Sequence, residues 1–207
     1  MIEKKQIIEK TAELFKSSGI RTNTMDDIAH AVGISKKTLY QWVADKNELI
    51  TAVIDKEYVE IKNTLDKICS ESENNIEELI RINALILNFL KSINPVAISD
   101  LRKLYQDIYN DSKTRYKNLF SQTIKKGISE GKMSNVFRKD INEELITKLH
   151  TDRIDQLQET SGFWASLADS THTKQELITY YIRGLVTKQG ETILNKYITE
   201  FDKYLNE

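Results

Sequence analysis

Apolar residues recur along the chain at intervals of three and four, and no stretch alternates convincingly at period two. That pattern predicts helices throughout, an all-α chain. Ile7, Ile8, Leu14 and Phe15, with Thr11 and Ala12 between them, place a first helix over about 3 to 18, ending at Gly19. Thr24 with Asp27 three positions on has the form of a capping box, which opens a short second helix carrying Ile28, Ala29 and Val32. Gly33 breaks it, and Ser35 can cap a third helix from Lys36. Two short helices joined by a few residues that include Gly fit a helix-turn-helix.

Beyond this the helices lengthen. Asp45 and Glu48 open one through Leu49, Val53, Ile54, Ile61, Leu65 and Ile68. A fifth is expected over about 76 to 93, closed by Asn94-Pro95. A sixth follows from Val96 to Tyr109, and a seventh from Lys113 to about Glu130, with Gly131 as its cap. Asp140 with Glu143 and Thr173 with Glu176 repeat the capping signature, for helices near 141 to 158 and 174 to 185. Thr187 can cap a last helix.

Composition narrows the function. Lys and Arg number 30 against 31 Asp and Glu, a formal charge of −1, so any basic surface must be local. The sole cysteine, Cys69, cannot form an intramolecular disulfide, and the start MIEKKQIIEK lacks the apolar run of a signal peptide. With no span of about eighteen apolar residues, the expectation is a cytoplasmic protein that does not engage a membrane.

On the third helix Leu39 and Val43 lie four apart and should face inward with Ile34. Lys36, Lys37, Thr38, Tyr40, Gln41 and Trp42 occupy the remaining surface. A recognition helix needs this division, because long donors reach base edges while hydroxyl, indole and backbone groups anchor phosphates. A plain solvated helix with an incidental Lys-Lys pair has the same composition.

The stretch TAELFKSSGIRTNTMDDIAHAVGISKKTLYQWVADKNELI, Thr11 to Ile50, resembles the DNA-binding segment of the tetracycline-repressor (TetR) family of bacterial transcription regulators. The matching positions are Ala12, Phe15, Gly19, Thr24, Ile28 with Ala29, Gly33 with Ile34 and Ser35, Leu39 with Tyr40, and Lys46 with Leu49. Trp42 and Val43 depart from it, standing where the family has His and Phe. The resemblance implies that Thr24, Tyr40 and Lys46 hold phosphates, with Trp42 beside them, and that Lys36, Lys37, Thr38 and Gln41 are the candidates for base readout. It also implies a helix-turn-helix domain over 1–46 and a larger helical domain over 47–207 for effector binding and dimerisation.

One short helix-turn-helix reads few base pairs, so a two-fold dimer is expected. Its surface is sought at Leu145 and Leu149 and, on the last helix, at Ile193, Leu194, Tyr197, Ile198 and Phe201; ordinary intrachain core is the other reading of both stripes. The segment YYIRGLVTKQGETIL resembles one common near the carboxy terminus of many family members. The resemblance places an unknown small-molecule effector among the middle helices, where Phe89, Tyr105, Tyr109, Phe120, His150, Arg153 and Trp164 are candidates for its lining.

Catalysis is not expected. His30, His150, His172 and Cys69 are too scattered for a metal site, and no phosphate-binding loop, dinucleotide fingerprint or nucleophile elbow is present. The paired acids at 26–27 and 143–144 fall in first helical turns, where capping accounts for them. The expected function is a regulator, a repressor released from a palindromic operator on double-stranded DNA by its effector, with no cofactor and no metal. The alternative is a DNA-binding adaptor of the same fold that acts through a protein partner.

Overall fold

The computed structural model describes residues 3–157, 171–198 and 203–204; at 153–157, 171, 172 and 174 only the backbone is described. Among them are ten helices and no strand, with one isolated antiparallel bridge between Phe137 and Val186. The all-α expectation holds. The helices are α1 (Lys4–Ser18), α2 (Met25–Val32), α3 (Lys36–Leu39), α4 (Lys46–Glu71), α5 (Asn75–Ser92), α6 (Pro95–Leu104), α7 (Gln106–Met133), α8 (Glu143–Leu157), α9 (Thr171–Arg183) and α10 (Lys188–Ile198). No single helix among the described residues is long and apolar enough to cross a membrane.

Two compact units divide the chain. The first comprises residues 1–63 and 91–116, the second 64–90 and 117–207. In the first unit α1 buries Ile7, Thr11, Ala12 and Phe15, one face of a helix, against Ile28, Ala29 and Val32 of α2. Leu39, Val43, Leu49, Ile50 and Val53 complete that core, and Leu101 of α6 closes it. Leu39 at 0 % and Val43 at 2 % exposure show what holds the short α3 down. Each such side chain contributes roughly 1.5–3 kcal/mol of transfer free energy.

Local signals explain several boundaries. Thr24 accepts from the Asp27 backbone N–H at 3.2 Å, and Asp27 Oδ2 accepts from the Thr24 N–H at 2.9 Å, completing the capping box. Gly33 takes φ 82° and ψ 31°, the left-handed conformation that lets its own N–H and that of Ile34 both reach the Ala29 carbonyl. The sixth boundary differs from expectation. Asn94 caps α6 through its side chain with Pro95 in the first turn, but the helix stops at Tyr105, whose φ −135° and ψ 50° are not helical. α7 then begins at Gln106, earlier than the sequence indicates.

The second unit is built on α5, α7, α9 and α10, with Ile76, Ile80, Ile82, Phe120, Ile124, Ile128, Phe137 and Ile182 nearly or wholly buried. Gly131 does not cap α7. A Cβ there would lie 2.1 Å from the Phe137 ring, so its smallness admits that side chain. α8 is opened by Asn142, whose Oδ1 accepts from the Leu145 N–H at 3.0 Å, and not by Asp140. Thr187 caps α10 as expected, accepting from the Gly190 N–H at 3.1 Å. It also donates to the Asn135 carbonyl at 2.8 Å.

Candidate nucleic-acid interface

α3 has a single regular turn. After Leu39 the backbone tightens, with Gln41 N–H donating to the Thr38 carbonyl and Trp42 N–H to that of Leu39, three residues back. With Leu39 and Val43 turned inward, Lys36, Lys37, Tyr40, Gln41 and Trp42 are exposed and Thr38 is half-buried. Tyr40 and Trp42 show 45 % and 37 % of their surface, large for aromatic side chains with no apolar cover.

The eight candidates are not equivalent. Ser35 Oγ accepts from the Thr38 N–H at 3.0 Å, and the two hydroxyls lie 2.8 Å apart, so Thr38 is bound into the cap of its own helix. Lys36 donates to Asp26 Oδ2 at 2.7 Å, and that hydrogen bond raises its pKa above the ordinary lysine value. Among the described residues neither Lys37 nor Gln41 has an intrachain partner for its polar end, and Tyr40 and Trp42 likewise extend outward. Thr24 spends its hydroxyl on Asp27, donating at 2.6 Å. That bond is the main reason the Asp27 carboxyl lies below its ordinary pKa.

Lys46 differs most from expectation. Its ammonium donates to the Ile20 carbonyl at 2.7 Å and to the Asn23 carbonyl at 2.5 Å. Burial lowers its pKa against the opposing charges of Asp100 and Asp27. Two of its three donors are therefore engaged in fastening the segment before α2, and one remains for a ligand. Asn23 does the same work from within, donating to the Gly19 carbonyl at 2.6 Å and to Ser18 Oγ at 2.9 Å. From α6, Asp100 Oδ2 accepts from the N–H groups of Ile20 and Arg21 at 3.0 and 2.8 Å. No spacing rule pointed to Asp100 or to Asp26, because each meets its partner only through tertiary packing.

The effector candidates divide between the units. Tyr105 and Tyr109 pack against the core of the first, and the Arg102 guanidinium lies 5.6 Å from the Tyr109 ring centroid. Phe89 and Phe120 belong to the second, half-buried and 3 % exposed respectively. His150, 1 % exposed, stacks on Tyr181 of α9 with centroids 4.4 Å apart. The Arg153 side chain, Trp164 and Phe201 lie outside the described residues.

Leu145 and Leu149 of α8 are 54 % and 56 % exposed, as an interface stripe requires. Leu194 is instead part of the chain's own core at 0 %, so it offers no surface to a second copy. Ile193 and Ile198 are half-buried, and Tyr197 donates to Glu73 Oε2 at 3.1 Å. Tyr180 of α9, the first residue of the YYIRGLVTKQGETIL segment, is 82 % exposed. Its neighbour Tyr181 stacks on His150 of α8.

The family described as bacterial regulatory proteins, tetR family, matches residues 7–53. An uncharacterized HTH-type transcriptional regulator, YvaF of Bacillus subtilis (strain 168), is 30 % identical over 106 residues, 51 % of this chain and 55 % of that one. The chain thus aligns with about half the length of this curated relative. Among solved structures, a TetR transcription regulator from Haloarcula marismortui superposes with a TM-score of 0.74 at 18 % identity, covering 89 % of this chain and 98 % of that one. A TetR-family regulator from Cytophaga hutchinsonii gives 0.69 at 17 %, covering 89 % and 95 %. A putative transcriptional regulator from Saccharomonospora viridis, in complex with choline, gives 0.70 at 20 %, covering 89 % and 98 %. These likenesses show the fold, and the family match marks residues 7–53 as a helix-turn-helix segment of the tetR-family type.

Proposed function

We propose that the protein is a transcription regulator that binds a palindromic DNA operator as a homodimer and represses until a small-molecule effector releases it. The observation that carries the reading is the two-sidedness of residues 36–43. Leu39 and Val43 are buried in the helix-turn-helix core, while the same turn extends Lys37, Tyr40, Gln41 and Trp42 outward. In this reading Lys37 and Gln41 meet base edges, lysine suiting guanine and glutamine adenine, and Tyr40 and Trp42 flank them on the phosphates. Lys36 and Thr38 approach the bases only after releasing intrachain partners. The spare donor of Lys46, and Thr24 once it releases Asp27, add phosphate contacts at the start of α2, whose dipole favours an anion.

The exposed Leu145, Leu149 and Tyr180 form the dimer face on α8 and α9. The effector binds in the second unit beside His150 and Tyr181, and the choline complex of a protein of this fold is in keeping with a small ligand. The protein is no enzyme and works in the cytoplasm, with the chromosome. Selection of bound duplexes from a random pool tests the reading: it should return a palindrome with half-sites about 10 base pairs apart or a multiple of this. Recovery of no enriched sequence, or of an undivided half-site alone, overturns it.

A further inference from the structure

The acid pair at 26–27 is only half accounted for by helix capping. Asp27 closes the box with Thr24, but Asp26 takes no part in it and reaches across the turn to Lys36, Nζ to Oδ2 at 2.7 Å. The pair lies in the open, with 65 % of the Asp26 side chain and 49 % of Lys36 accessible, so it adds little to folding stability. Its position is what counts. An acid on the face of a helix-turn-helix that meets a polyanion opposes binding unless a neighbour neutralises it, and here it neutralises the first of only two lysines on α3.

We propose that Asp26 is a specificity-determining residue that acts through Lys36: it holds this lysine on the protein, so that contact with DNA is made through Lys37 and Gln41 and attraction to arbitrary sequence is kept low. The inference rests on the DNA-binding reading. Specificity is a ratio of affinities, and withdrawing one mobile cation from each head lowers the sequence-independent part, to which phosphate contacts contribute nearly everything. The base-reading part is left in place.

The test compares the parent with Asp26→Asn, Lys36→Gln and the double variant. Each is titrated with the selected palindrome and with a shuffled duplex between about 50 and 200 mM salt. Asp26→Asn should tighten binding to the shuffled duplex on the order of tenfold, steepen its log–log salt slope by about 0.9 per bound protomer, and narrow the palindrome-to-shuffled ratio. Lys36→Gln in the parent uncovers the Asp26 carboxylate and should weaken shuffled binding without flattening its salt slope, whereas in the Asp26→Asn background it should remove the whole of the added slope. Equal slopes and shuffled affinities for parent and Asp26→Asn overturn the inference, as does an effect of Lys36→Gln that is the same in both backgrounds. A parent that binds neither duplex overturns the DNA-binding reading itself, and this inference with it.

Discussion

Asp100 accepts a hydrogen bond from the backbone N–H of Arg21 at 2.8 Å, joining α6 to the turn between α1 and α2 across 79 positions of sequence. The same oxygen takes the Ile20 N–H at 3.0 Å. Asp100→Ala leaves both donors without this acceptor and should cost about 1–3 kcal/mol, read as a lower urea midpoint. Asp100→Asn keeps a carbonyl oxygen for the two donors and should recover most of that loss. An Asp100→Ala midpoint equal to the parent's would show that water serves these groups as well.

The DNA surface makes separable demands on Lys37 and Tyr40. Lys37→Ala should weaken binding to every duplex, flatten the salt slope by about 0.9 per protomer and blur preference at one base pair of each half-site. Tyr40→Phe removes a neutral hydroxyl and should weaken palindrome and shuffled duplex alike without altering the slope. A changed slope for Tyr40→Phe, or an unchanged one for Lys37→Ala, would reverse these roles.

Acid should loosen the junction of α7 with α8. Asp152 accepts from Lys148 at 2.8 Å and from Lys117 at 2.9 Å, and these bonds hold its carboxyl down at about 2 against an ordinary value of 3.8. A depressed carboxyl stabilises the folded chain above 3.8, and that contribution disappears as pH falls toward 2. NMR titration of the Asp152 side chain should place its midpoint well below those of other exposed carboxylates, and Lys148→Gln should raise it. A midpoint near 3.8 in the parent would mean that neither lysine stays in place in solution.

Gly190 lies in the first turn of α10, where alanine ordinarily favours a helix by roughly 1 kcal/mol. An added Cβ would come 2.2 Å from the Val136 carbonyl oxygen and 3.0 Å from the Val186 Cβ. The first is backbone and cannot swing aside, so Gly190→Ala should destabilise the fold by about 1–3 kcal/mol. A variant as stable as the parent in thermal unfolding would show that α10 can shift outward freely.

What the chain disclosed in advance was what neighbouring residues decide among themselves. The Thr24 and Asp27 cap, the Gly33 turn and the inward pair Leu39 and Val43 need only the few positions around them, and all three are present as expected. Residues paired through packing were not legible. Nothing in the sequence shows that two donors of Lys46 go to the carbonyls of Ile20 and Asn23, or brings Asp26 to Lys36. An apolar stripe also does not name what covers it. Leu194 and Leu149 both repeat at helical spacing, yet one is sealed inside the chain and the other open. The break at Tyr105 was hidden because no Gly or Pro marks it.

The bridge at Phe137 and Val186 is small, but it alters how the chain can vary. Arg138 N–H donates to the Leu185 carbonyl and Thr187 N–H to that of Val136, so the backbone leaves α7 and returns toward α10 at one point. Everything between is an excursion whose two ends are already tied. Once its ends are closed, doubling the length of such a loop costs only about 0.6 kcal/mol. α7 and α10 can therefore keep their register through changes of length in the stretch between them that leave Ile178 and Ile182 of α9 in the core.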